Sequence, residues 1–221
     1  MNPLALKPYR SVLGEGFYEF EEKRSRFIAR VKPVETEAEA TAFIQSVRAL
    51  GREATHHCYA YALQGESAYQ RHSDDGEPSG TAGIPILEVI RKKDLVNVTV
   101  VVTRYFGGIL LGAGGLVRAY GKAASGGIEN AGELLAKPCL EAVAHLEYTM
   151  LGRVRSMLTT EGFTISGIRY TDIVEVVVFL EKERIQFFEA QLTDLTNGQV
   201  LIEYLEEKWI KLDNQGNVIE I

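Results

Sequence analysis

A β-branched run from Asn97 to Thr103 gives way to Arg104-Tyr105-Phe106-Gly107-Gly108-Ile109-Leu110-Leu111-Gly112-Ala113-Gly114-Gly115-Leu116-Val117-Arg118-Ala119-Tyr120. Such a run favours a strand, and clustered glycines favour a tight turn. The residues from about Leu116 to Asn130 read as a long helix. The segment is therefore strand, turn, helix, with the helix N-terminus at the glycines. Gly121, Gly126 and Gly127 fall inside that helix, where each costs about 1 kcal/mol against alanine. Their number implies close backbone packing on a neighbour.

The rest of the first half fits an α+β unit. Tyr9 to Glu22 and Arg26 to Val31 read as strands joined by a turn at Lys23-Arg24-Ser25. Thr36 is placed to cap a helix carrying Ala38, Ala42, Phe43, Val47 and Leu50, and Gly51 stops it. His57 to Leu63 is strand-like, and Gly65 to Gly80 reads as a loop or short hairpin. Thr81 to Arg91 is helical, with Pro85 in its first turn, where a missing N–H does no harm.

Pro138 is read as the domain boundary, dividing residues 1–137 from 138–221. Beyond it come strand Glu141–Tyr148, helix Leu151–Thr160, strands Phe163–Tyr170 and Ile173–Leu180, helix Arg184–Leu195 and strand Gln199–Leu205. That order is β-α-β-β-α-β, the ferredoxin-like arrangement. Trp209 is left in a polar tail, packing back on this second domain.

Composition bounds the function classes. The N-terminus lacks a signal-peptide pattern and no apolar run approaches a membrane span, so the chain is read as cytoplasmic, without membrane contact. Cys58 and Cys139 are too few for a disulfide framework. Residues 1–137 carry 17 Lys and Arg against 16 Asp and Glu, whereas residues 138–221 carry 7 against 14. A general electrostatic binder of nucleic acid is basic, so any RNA contact is expected from a local patch in the first half.

Three clusters carry candidate chemistry. At the glycine turn, Arg104, Tyr105, Phe106, Gly107, Gly108, Gly112, Gly114, Gly115, Arg118 and Lys122 combine flexible backbone, a helix N-terminus and cations. Together these suit a phosphate of RNA or a nucleotide. The alternative is that the glycines only permit turning and the arginines cover surface; spacing leaves both open. One of Tyr105 and Phe106 should face the core, leaving one to stack on a base.

In His56-His57-Cys58, neighbours on a strand point to opposite faces, so a packed histidine beside a buried cysteine is simpler than a ligand set. In Asp74-Asp75-Gly76-Glu77-Pro78-Ser79-Gly80-Thr81 the acids suit backbone N–H acceptance. Ser79 or Thr81 is placed to cap the following helix. No catalytic group, metal site or cofactor is assigned.

The motifs His57-Cys58-Tyr59-Ala60, Asp74-Asp75-Gly76-Glu77-Pro78 with Gly80-Thr81-Ala82-Gly83-Ile84-Pro85, and Arg104-Tyr105-Phe106-Gly107-Gly108 with Leu111-Gly112 and Gly114-Gly115-Leu116 occur in that order. With Lys23-Arg24-Ser25-Arg26-Phe27-Ile28-Ala29, they resemble the YigZ/IMPACT family over about residues 15–132. The resemblance implies a first domain like the second domain of ribosomal protein S-five, a fold shared with GHMP-type kinases. It implies a second domain like the fifth domain of elongation factor G.

It also implies a translation-associated regulatory protein that contacts the ribosome, RNA or a translation factor. His57, Asp74, Asp75, Glu77 and Thr81 then form a secondary motif beside the glycine turn. Two further readings are a nucleotide- or phosphate-binding enzyme on the kinase-like fold, and wholly structural motifs with function elsewhere on the surface.

Overall fold

A computed structural model describes residues 7–65 and 69–220. The chain divides into two compact units, one from Tyr9 to Leu135 and the other from Ala136 onward together with Lys7 and Pro8. Both are α+β, each with its own sheet and core.

The first unit contains β1 (Tyr9–Val12), β2 (Gly16–Glu22), β3 (Ser25–Pro33), α1 (Glu37–Leu50), β4 (His56–Leu63), β5 (Tyr69–Ser73), α2 (Gly83–Lys92), β6 (Val98–Tyr105) and α3 (Ala113–Ala131). Its sheet runs β2-β3-β6-β4-β5, antiparallel at each pairing. β6 is buried along nearly its whole length, as its β-branched sequence requires of a central strand. Alternate residues of β3, β4 and β6 point to a core closed by α2 and α3, including Phe27, Ala29, Cys58, Ala60, Val100, Val102, Ile86 and Tyr120. A smaller cluster beneath α1 holds Ile44, Val47, Tyr61 and Val101.

The glycines of α3 act as their density implied, with one exception. A side chain at Gly126 would run into the Tyr18 ring, and one at Gly127 would lie 2.9 Å from Val31, but Gly121 faces open space. Thr36 caps α1, its Oγ1 accepting from the Glu39 amide at 3.2 Å. The expected Tyr9–Glu22 strand is two strands, and Gly65 to Gly80 contains β5; residues 66–68 of that stretch lie outside the described residues.

β7 (Glu133–Leu146) begins three residues before the boundary and carries Pro138 within it, so this proline does not punctuate the chain as expected. The second unit continues with α4 (Leu151–Thr160), β8 (Thr164–Tyr170), β9 (Val174–Leu180), α5 (Ile185–Leu195), β10 (Leu201–Asp213) and β11 (Val218–Glu220). Its strand order, β11-β10-β7-β9-β8, contains the expected β-α-β-β-α-β arrangement with one strand added at the β10 edge. Val154, Leu158, Phe188 and Leu192 of the two helices pack on Ala142, Ala144, Val176 and Val178 of the sheet. β10 runs eight residues past the expected Leu205, so Trp209 belongs to a strand and not to a tail. Among the described residues no helix is long and apolar enough to cross a membrane.

Candidate functional site

Arg104 leaves β6 pointing inward. Its side chain is 6% exposed, and Nη1 lies 2.7 Å from Glu77 Oε1, itself on a side chain 3% exposed. The Tyr120 hydroxyl donates to the same carboxylate oxygen at 2.7 Å, and Arg104 Nη2 donates to Ser25 Oγ at 3.3 Å. The guanidinium lies over the Phe27 and Phe106 rings, and its Nε is buried without an acceptor among the described residues. This corrects the expectation that Arg104 meets phosphate: a buried carboxylate needs a partner charge, and Arg104 is that partner.

The acidic loop is likewise turned inward. Asp74 accepts from the amides of Gly80, Ala82 and Gly83 at 2.8, 3.0 and 2.9 Å. It thereby caps α2 from outside the helix, replacing Ser79 and Thr81 in that expected role; Thr81 Oγ1 donates to the Pro78 carbonyl instead. Burial alone would raise the Asp74 carboxyl, but the three amides outweigh it and hold the pKa below its ordinary value. Asp75 accepts from the His57 amide at 2.7 Å and pairs with Arg48 at 2.7 Å.

His57 sits between Thr103 Oγ1 (Nδ1, 3.0 Å) and the Gly51 carbonyl (Nε2, 3.1 Å). A carbonyl only accepts, so Nε2 carries the proton. Burial lowers the His57 pKa. The Cys58 thiol donates to the Asp74 carbonyl, and burial pushes its pKa up to about 12. Among the described residues no three His, Cys, Asp or Glu side chains are grouped to hold a metal.

The glycine turn is partly engaged. The Phe106 amide donates to Thr55 Oγ1 and the Gly107 amide to Ser25 Oγ, both at 3.2 Å, while the Gly115 and Leu116 amides close on the Gly112 carbonyl. Gly107 packs on the Arg24 backbone so closely that a methyl group would strike its carbonyl. Gly112 is the N-cap of α3, at φ 73°, and has no side chain to satisfy the amides of Ala113 and Gly114. Gly108 also has positive φ, at 81°.

Arg118 and Lys122 project one turn apart from α3, as their spacing requires. They line an open cleft of about 230 Å³ with Lys23, Phe20, Glu22, Leu111 and Gly115. Lys122 Nζ lies 4.2 Å above the Phe20 ring, and Arg118 has no ion-pair partner among the described residues. Tyr105 is half-buried with Arg26 over its ring, whereas Phe106 is exposed. The structure thus assembles Lys23, Arg118 and Lys122 on the surface, and puts Arg104, Glu77, Asp74, Asp75, His57 and Thr81 into the supporting framework. Lys23 and Phe20 escaped the sequence reading because nothing in their spacing ties the β2–β3 turn to α3.

Comparison with known proteins matches residues 23–128 to the Impact N-terminal domain and residues 145–199 to a domain of unknown function, DUF1949. The IMPACT family member YvyE of Bacillus subtilis is 42% identical over 194 residues, covering 88% of this chain and 89% of that protein. The family member YigZ of Escherichia coli is 35% identical over 187 residues, covering 84% and 92%. A solved crystal structure of a hypothetical protein, 33% identical, superposes with a TM-score of 0.57 over 92% of this chain and all of the other. Matches of this extent place the chain in the IMPACT family.

Proposed function

We propose that this chain is a cytoplasmic, translation-associated binding protein, and that its first unit holds RNA phosphate in the cleft between the β2–β3 turn and α3. The carrying observation is the convergence of Lys23, Arg118 and Lys122, from two separate elements, on one open cleft where Glu22 is the only acid among the described lining residues. The Ala113 and Gly114 amides and the N-terminal dipole of α3 add to the pull on an anion. Phe106 is the exposed ring suited to a base or an aromatic partner group. The likeness of the first unit to the second domain of ribosomal protein S-five, and of the second to the fifth domain of elongation factor G, belongs to this reading. So do the ribosome and a translation factor as partners.

Filter binding of single-stranded RNA, with ribosome cosedimentation, tests it. Three phosphate contacts give a slope of log K against log salt of about −2, and each cation removed flattens it by about 0.7. Arg118→Ala and Lys122→Ala each weaken binding, and Arg118→Glu with Lys122→Glu abolishes it. Salt-insensitive association, or a double variant that binds like the parent, overturns the reading.

The nucleotide-enzyme reading has no comparable support. The cleft is smaller than the roughly 300–1,000 Å³ usual for small-molecule sites, and its one carboxylate is exposed. A thermal shift of several degrees with ATP and Mg²⁺ would restore it.

A further inference from the structure

β10 is 13 residues long and shares one edge with β7. On its other edge, among the described residues, β11 meets Lys211 and Leu212. Among the described residues, no strand lies along the outer edge of residues 201–208. That segment is largely exposed: Leu201 is 66% and Leu205 44% accessible, and between and after them stand Glu203, Glu206 and Glu207. Glu203 lies 3.4 Å from His145 and Glu206 3.6 Å from Lys208, whereas Glu207 has no cation near it among the described residues. An open edge with apolar side chains is a template for an added strand.

The acids decide which strand. Antiparallel pairing with the same edge of a second copy would set Glu203, Glu206 and Glu207 against one another, which like charges disfavour. Nucleic acid is repelled by the same carboxylates and by a half-chain carrying 14 Asp and Glu against 7 Lys and Arg. A helix has no free backbone groups to offer an edge. What fits is an extended segment whose apolar side chains cover Leu201 and Leu205 and whose Lys or Arg side chains meet the glutamates. We propose that residues 201–208 of β10 are a docking edge for a basic, extended segment of another protein, which joins the sheet as a strand. This is independent of the cleft on the first unit.

Leu201, Glu203, Leu205 and Glu207 share one face of the strand. Two blocked octapeptides, Val-Thr-Lys-Thr twice over (Lys-Val) and Val-Thr-Glu-Thr twice over (Glu-Val), therefore alternate Val with the charged residue along one face. They test the proposal against the full chain by hydrogen exchange and titration calorimetry. The Lys-Val peptide should slow exchange at amides within residues 201–208 about tenfold or more, and the Glu-Val peptide should not. The triple variant Glu203→Lys, Glu206→Lys, Glu207→Lys should lose about tenfold in affinity for Lys-Val and gain binding of Glu-Val. That exchange of preference would not arise from misfolding. No slowing at millimolar Lys-Val peptide, slowing confined to other edges, or equal binding of both peptides overturns the proposal. Arg118→Glu with Lys122→Glu should bind Lys-Val like the parent, so that this idea and the RNA reading fail separately.

Discussion

Glu77 takes hydrogen bonds from Arg104 and Tyr120 on one carboxylate oxygen, and all three side chains are withdrawn from water. Arg104→Ala leaves that carboxylate buried without its counter-charge and should cost about 3–5 kcal/mol. Tyr120→Phe removes one hydrogen bond to a charged group and should cost about 1.5–3 kcal/mol. Denaturant midpoints of both variants and of the double variant check these figures, and the double should cost less than the sum. His57 adds a pH dependence. Burial sets its folded pKa below the unfolded value of about 6.5. Its contribution is therefore fully present above pH ~6.5 and is lost as pH falls, because the unfolded chain takes up the proton first. Melting temperature should decline from pH 7.5 to 5, and His57→Gln should flatten that decline. Cys58, with its thiol held near pKa 12, should resist a disulfide reagent at pH 8 until the fold is opened with denaturant.

At the scale of elements, α3 offers a paired test of its glycines. Gly121→Ala meets no neighbour within 4 Å and should stabilise by about 1 kcal/mol, whereas Gly126→Ala collides with Tyr18 and should destabilise. Unfolding midpoints should move in opposite directions. Elements with strong local signals were legible: Thr36 and Gly51 bracket α1, and the apolar periodicity of 151–195 gives the order of the second unit. The second half of β10 was not legible, because Glu206, Glu207 and Lys208 break the alternation that a buried strand would show. Pro138 misled because a strand tolerates proline where its nitrogen faces no partner. The site was legible only in part. Arg118 and Lys122 share a helix face by spacing alone, but the inward turn of Arg104 depends on Glu77, 27 residues earlier and brought close by tertiary folding.

For the molecule as a whole, a pI near 5.4 means that, on the proposed reading, RNA at the cleft works against a net charge of −6. Affinity should therefore fall faster with rising pH, as carboxyl groups ionise, than in a variant neutralised at 138–221; filter binding from pH 5 to 7 reads this. One joint in the chain links endurance to grip. Lys23 and Arg24 turn between β2 and β3 at φ 46° and 62°, a left-handed geometry that side-chain-bearing residues enter at a cost of roughly 1 kcal/mol or more each. Asn-Gly at these two positions would adopt the same bend with little strain and raise the melting temperature. It would also delete a cation from the cleft, so on the proposed reading a tougher hairpin comes with a weaker hold on polyanions.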